Sequence, residues 1–195
     1  MMAEPTILTD DRTVLLAKHD RQAMAELYEH YYPRIFRYCL RRLFLREAAE
    51  DVTSNVFFNV ANNICRFSGR TCGDFEKWIF AIASNEAAGH LRSQANRKRL
   101  MQAAAEAGRL SQPAAEATDR NMLDWPKVYQ EILKLKPSDQ NLLVLRFFEN
   151  CSTARIAEIT SMAHGTVRTR LSRIITKLKK KFQDSEVAEY ETKQH

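Results

Sequence analysis

Apolar side chains recur at three- and four-residue steps through most of this chain, and no stretch shows the two-residue alternation of a half-buried strand. That period puts a stripe of apolar groups on one face of an α-helix. From Asp20 the stripe is Met24, Leu27, Tyr28, Tyr31, Ile35, Phe36, Cys39, Leu40 and Leu43, interrupted by Pro33. Proline removes an amide donor and crowds the preceding turn, so a kink or restart is expected there. A second run, about 47–64, carries Ala49, Val52, Val56, Val60 and Ile64. A break at 67–74 holds Gly69 and Gly73 with Asp74 as a candidate N-cap, and a third helix then presents Phe75, Trp78, Ile79, Ile82 and Leu91. Three such helices make one small all-α domain.

Between about Ala95 and Leu123 the large apolar residues nearly vanish, the composition of a linker, part of it expected to be helical near 99–107. Asp124-Trp125-Pro126 opens a new segment, proline being favoured in a first helical turn. Four short helical units follow at 127–136, 138–149, 153–160 and 164–182. The expected fold is therefore all-α, with two small helical domains joined by a linker, one of three helices and one of four. The expected boundaries are an N-terminal tail 1–12, a first domain 13–95, a linker 96–123, a second domain 124–183 and a C-terminal tail 184–195. A chain of 195 residues can bury two small cores of this kind.

Several function classes are disfavoured. No run of about 18 apolar residues suits a membrane span, and the acidic, polar first residues lack the pattern of a secretory signal, so a cytoplasmic protein without membrane insertion is expected. Cys39, Cys65, Cys72 and Cys151 form no C-x-x-C pair and read as buried free thiols rather than disulfides or zinc ligands. No nucleophile-base set, paired acid and base or phosphate loop is visible, so neither an enzyme, a metal nor a cofactor is expected.

The net charge of +6 is unevenly placed: Arg92, Arg97, Lys98 and Arg99 form one basic cluster, and residues 164–182 hold seven Lys or Arg and no Asp or Glu. A basic helix can simply be solvated or can lie against a polyanion. The frame around this one favours the second. "STARIAEITSMAHGTVRTRL", Ser152 to Leu171, has the form of a helix-turn-helix: Ile156, Ala157 and Ile159 pack the first helix, Met162 plugs the turn, and Val167 and Leu171 anchor the second. With Val167, Leu171, Ile174, Ile175 and Leu178 buried, Thr166, Arg168, Thr169, Arg170 and Arg173 must point elsewhere. Arginine forks reach guanine or phosphate, and helix N-termini favour anions.

Residues 137–182 resemble region 4 of extracytoplasmic-function (ECF) sigma factors of the sigma-70 family, with Gly165-Thr166-Val167-Arg168-Thr169-Arg170-Leu171 standing where the family has a Gly-Thr-Val-Lys-Ser-Arg-Leu run. "AELYEHYYPRIFRYCLRRL", "AAEDVTSNVFFNVANNI" and "FEKWIFAIASNEAAGHLRS" resemble, in family order, the opening, core-binding and promoter-melting helices of region 2. The resemblance implies an alternative sigma factor that directs RNA polymerase core to promoters and aids their opening. It implies docking of Glu50, Asp51, Asn55 and Asn59 on the β′ coiled coil, contact with the β flap, and regulation by an anti-sigma factor. Arg66, Arg70, Asn85, His90 and Arg92 would hold the minus-ten element as a single strand. His164, Thr166, Arg168, Thr169, Arg170 and Arg173 would read the minus-thirty-five duplex, with Lys177 and Lys180 on phosphates. Trp78, on the apolar stripe, reads as core rather than as a stacking platform.

The sequence departs from the family at Ala163, where a Ser N-cap is usual and its loss costs about 1 kcal/mol. It departs also at Gly89 in the melting helix, at Ser54, and at Asn141 and Arg155 in region 4. Two rival readings remain open at this level: a stand-alone helix-turn-helix regulator, and a sigma-like decoy that sequesters core enzyme or an anti-sigma factor.

Overall fold

The computed structural model describes residues 10–106, 131–132 and 134–192, with 98–106 and 182–192 described by their backbone alone. Helices α1 (Asp11–Leu16), α2 (Arg21–Leu43) and α3 (Arg46–Asn63) are followed by a 3-10 turn (Ile64–Arg66) and α4 (Cys72–Glu106). After the segment outside the described residues come α5 (Pro137–Leu143), a π-turn continuing it (Val144–Phe148), α6 (Thr153–Thr160) and α7 (His164–Thr192). No strand occurs among the described residues. The chain divides into two compact units, the first running to Gln94 and the second holding the rest apart from Glu158–Ser161.

In the first unit Leu27, Ile35, Tyr38, Val56, Val60, Phe75, Ile79 and Phe80 are fully buried, the apolar stripes of α2, α3 and α4 turned on one another. Burial pushes Cys39 up to about 11 and Tyr38 up to about 12, so both stay neutral across the physiological range. Asp20 caps α2 by accepting from the Gln22 amide at 2.8 Å, and Phe44, at φ 60°, stops it and turns the chain into α3. Helix α2 runs unbroken through Pro33, contrary to the expected restart. Pro33 and its neighbours Glu29 and Arg37 are exposed, so the carbonyl that loses its amide partner has water available.

The first unit also contains a helix that the sequence did not reveal. Helix α1 is six residues long, too short for a period to show, yet Val14 and Ala17 are buried. It begins inside the expected tail 1–12, and α4 runs past the expected boundary at 95 to Glu106. Of the thiols, Cys39 and Cys151 are buried, but Cys65 is exposed and Cys72 half-buried, which corrects the expectation for that pair: both flank the 67–71 loop rather than a helix seam. The expected linker from residue 107 and half of the expected helix 127–136 lie outside the described residues.

Candidate nucleic-acid interface

The helix-turn-helix is built as its stripe requires. Ile156, Ile159, Val167, Leu171 and Ile174 are buried, and the turn between α6 and α7 closes with the Met162 amide donating to the Ala157 carbonyl at 3.0 Å. Ser161 takes the left-handed conformation there, φ 54°. Ser152 caps α6 through its hydroxyl, which accepts from the Arg155 amide at 3.1 Å. With that seam fixed, His164, Thr166, Arg168, Thr169, Arg173, Lys177 and Lys180 are all exposed on α7.

Their hydrogen bonds distinguish them. The Thr169 hydroxyl donates to the Gly165 carbonyl at 2.9 Å, leaving its lone pairs and methyl group to face outward. His164 Nε2 pairs with Thr153 Oγ1 at 2.8 Å and joins the N-termini of α6 and α7. A Cβ at Gly165 would meet nothing within 4 Å. The fold therefore has no steric need for glycine in that first turn, and the bare backbone is open to close approach by an anion.

Arg170 requires a correction. Its Nε donates to Asp139 Oδ1 at 3.0 Å and its Nη2 to Ser138 Oγ at 2.7 Å and to Asp139, so the fork is spent on α5. Arg170 fixes α7 to α5 instead of reaching outward. A second cation, missed in the sequence, stands nearby: exposed Arg146, on the π-turn, donates through Nη1 to the Cys151 carbonyl at 3.0 Å. With Thr153, Arg168 and Lys179 it lines a groove of about 430 Å³ floored by Leu171 and Ile175.

The first unit offers an open pocket instead of a ridge. A cavity of about 370 Å³ is lined by Asn59, Asn63, Arg66, Phe67, Trp78, Ile82, Asn85 and Glu86. Trp78 stacks on Phe67 with ring centroids 4.8 Å apart and 23° between planes, and Phe67 meets Phe75 edge-on at 5.9 Å. Asn59 Nδ2 donates to Glu86 Oε1 at 3.0 Å, and Asn63 Nδ2 to the Asn59 carbonyl at 2.9 Å. An aromatic pair beside amides, a carboxylate and a guanidinium supplies a stacking surface together with donors and acceptors, the needs of a base taken out of its stack.

The loop that follows Phe67 is hydrogen-bonded at its far end. Thr71 and Asp74 form a reciprocal capping box at the start of α4: the Asp74 amide donates to Thr71 Oγ1 at 3.0 Å, and Asp74 Oδ2 accepts from the Arg70 and Thr71 amides at 3.2 and 3.3 Å. Thr71, rather than Asp74, is thus the N-cap. The Arg70 amide, then the Thr71 hydroxyl and amide, hold the Asp74 carboxyl below the usual carboxylate range. Gly69 is sterically required, since a Cβ there would lie 2.2 Å from Phe67 Cζ and 2.5 Å from Asp74 Cβ.

On the outer face of α3, Asp51, Ser54, Asn55 and Phe58 are exposed, Phe58 by 67%. Glu50 is paired with Arg46, whose Nε donates to it at 2.8 Å.

Residues 27–97 match the sigma-70 region 2 model and residues 127–178 the sigma-70 region 4 model. The chain is 30% identical over 166 residues to the RNA polymerase sigma factor YlaC of Bacillus subtilis (strain 168), covering 84% of this chain and 93% of that one. The chain is a sigma-70 family factor of the ECF type. It is also 27% identical over 175 residues to the ECF sigma factor SigW of the same organism, covering 86% of this chain and 92% of that one. Its fold is shared with CnrH, solved in complex with the cytosolic domain of CnrY, at TM-score 0.64 and 16% identity over 90% of this chain and 98% of that one. It is shared also with the sigma factor RpoE of Bartonella quintana, solved with the anti-sigma factor NepR, at TM-score 0.60 and 19% identity over 82% and 96%. As an alternative sigma factor, this protein works with RNA polymerase at promoters.

The sigma factor's expected site residues sort into three groups. Arg66 and Asn85 meet at the cavity, where they are joined by Asn59, which the sequence placed with Glu50, Asp51 and Asn55 on the polymerase face. Arg70 is exposed in the loop. His90 and Arg92 lie further along α4, the His90 ring bonded to Gln94 at 2.8 Å, and neither lines the cavity. Trp78 is a cavity wall and not only core. Phe58 was missed although the period held the signal: the stripe through Val52, Val56 and Val60 leaves position 58 on the outer face. No helix among the described residues is long and apolar enough to cross a membrane, and no cluster of three or more ligating side chains suited to a metal occurs among them.

Proposed function

We propose that this sigma factor divides promoter recognition between its two units, with region 2 (13–95) holding the minus-ten element as a single strand and region 4 (124–183) reading the minus-thirty-five element as duplex. The contrast between an open pocket walled by an aromatic pair and an exposed basic helix carries this reading. Arg168, Thr166 and Thr169 lie along the major groove, Arg173 and His164 at its edges, and Lys177 and Lys180 on phosphates. Arg170 positions the helix. Asn85, Arg66 and the Phe67–Trp78 pair take an unstacked base, with Arg70 on the backbone and His90 and Arg92 along the strand beyond.

The outer face of α3, with Asp51 and Asn55 around Phe58, docks on the β′ coiled coil, a charged and polar rim about an apolar anchor. The C-terminal unit meets the β flap. An anti-sigma factor, as named for the Bartonella relative, holds this protein in the cytoplasm until it is released. The protein itself catalyses nothing; the polymerase makes the RNA. The test is reconstitution with core polymerase and genomic promoter fragments, with transcript starts mapped. Starts that depend on the sigma factor and share a two-part upstream element support the reading. Operator binding without polymerase would favour a stand-alone regulator, and core binding without initiation a decoy.

A further inference from the structure

Helix α1 and the turn after it touch both ends of the loop whose first residue, Phe67, lines the cavity. At the far end the Asp11 carboxylate accepts from the Cys72 amide at 2.6 Å, across 61 residues of sequence. At the near end the Cys65 thiol donates to the Lys18 carbonyl at 3.3 Å, and the Lys18 ammonium sits 5.7 Å over the Phe67 ring. Phe67 is the ring on which Trp78 stacks, and both rings line the cavity with Arg66. Val14 and Ala17, buried, hold α1 against the body, and Tyr31 from α2 donates to the Cys72 carbonyl at 3.5 Å. The residue that joins loop to helix α4 is therefore gripped on its amide by α1 and on its carbonyl by α2.

We propose that Asp11 is a positioning residue for minus-ten selectivity: by fixing the Cys72 amide it sets the loop 67–71, and through Phe67 the width of the cavity in which a base is discriminated. The inference rests on the assignment of the cavity to the unpaired minus-ten strand. Asp11 lies outside the cavity lining and acts only through the loop. A charge-assisted hydrogen bond to a single amide is a strong local tether. The loop around it has little slack, with Gly69 in contact on two sides and the Thr71–Asp74 box fixing the first turn of α4. Losing the tether therefore moves the loop's end as a body.

The test uses the full chain assembled with core polymerase and a pool of promoter fragments randomised at the minus-ten positions, built on a promoter recovered by the same holoenzyme. Asp11→Ala removes the acceptor, whereas Asp11→Asn keeps a carbonyl oxygen in its place. We expect D11A to flatten the preference among minus-ten bases by about tenfold, the order of one such hydrogen bond, with core affinity and minus-thirty-five duplex binding unchanged. D11N restores most of the preference. In the free protein, hydrogen exchange of the Cys72 amide accelerates by about tenfold in D11A while the amides of the α4 interior keep their rates. A D11A preference identical to wild type, with the Cys72 amide already freed, overturns the inference. So does a loss of core affinity or of α4 protection in parallel with the loss of preference, which marks a general structural role. Asn85→Ala and Arg66→Ala serve as the separate control: if both leave the minus-ten preference intact, the cavity assignment itself fails, and the inference with it.

Discussion

The two nucleic-acid surfaces proposed for this sigma factor use different physical means. On α7 the proposed contact residues project from an exposed ridge, where affinity would come from cations and an open helix N-terminus. In the first unit the proposed contacts surround an open pocket of about 370 Å³, where affinity would come from stacking on Trp78, backed by Phe67, and from amide hydrogen bonds. A ridge suits a partner whose bases stay paired inside a groove. An aromatic-walled pocket suits a partner that must first come apart. The difference predicts that salt weakens the first interaction steeply and the second less, because counterion release dominates only where phosphates are the main contact.

That contrast can be broken at several points. The largest effect is expected from Trp78→Ala, which removes both a stacking surface and part of the cavity wall. Open-complex yield should fall by about one to two orders of magnitude, since stacking is worth about 1–3 kcal/mol per base, while binding to a minus-thirty-five duplex fragment stays at the wild-type level. Next comes Arg168→Ala, expected to cost about 1–3 kcal/mol in duplex binding and to relax base choice at one position. Lys180→Ala should weaken all sequences alike and lower the salt slope by about one. Equal, sequence-blind losses from both would remove Arg168 from base reading.

Smaller effects concern stability. Breaking the partly exposed Arg170–Asp139 pair by Arg170→Ala should destabilise the C-terminal unit by about 1–2 kcal/mol, and the double variant with Asp139→Ala should cost little more than either alone, as a thermal-unfolding cycle would show. Were Arg170 a base reader, duplex specificity would fall without that non-additive stability loss. Gly89→Ala should raise stability by about 0.5–1 kcal/mol, since an added Cβ would meet only Arg92 Nη2, at 4.0 Å. The smallest is a pH effect. The folded-state pKa of Asp74 is depressed, so its contribution to holding the loop is present above the ordinary carboxylate value of 3.8 and is lost as pH falls through the lower folded value. Amide exchange at Arg70 and Thr71 measured in acid would report it.

Much of the architecture was legible because an apolar period of three and four residues survives any detail of packing. The stripe through Val52, Val56 and Val60 defines α3, and the stripe through Ile156, Ile159, Val167 and Leu171 defines the helix-turn-helix. What escaped depends on partners distant in sequence. Arg170 looks like its neighbours in a basic run, and nothing local marks the carboxylate 31 residues earlier that occupies it. Asn59 alternates with core-facing residues on α3, but only the approach of Glu86 from α4 assigns it to the cavity. Trp78 sits on an apolar stripe that also forms a wall, a position for which periodicity gives the same signal as core. Helix α1 was hidden by its length of six residues.

The central claim is that duplex and single strand are handled by separate units, and a crossed binding experiment on the holoenzyme tests it most directly. Arg168→Ala and Asn85→Ala would each be measured against a minus-thirty-five duplex probe and a single-stranded minus-ten probe. The account predicts that Arg168→Ala weakens only the duplex and Asn85→Ala only the strand; equal losses of both probes with either variant would contradict it.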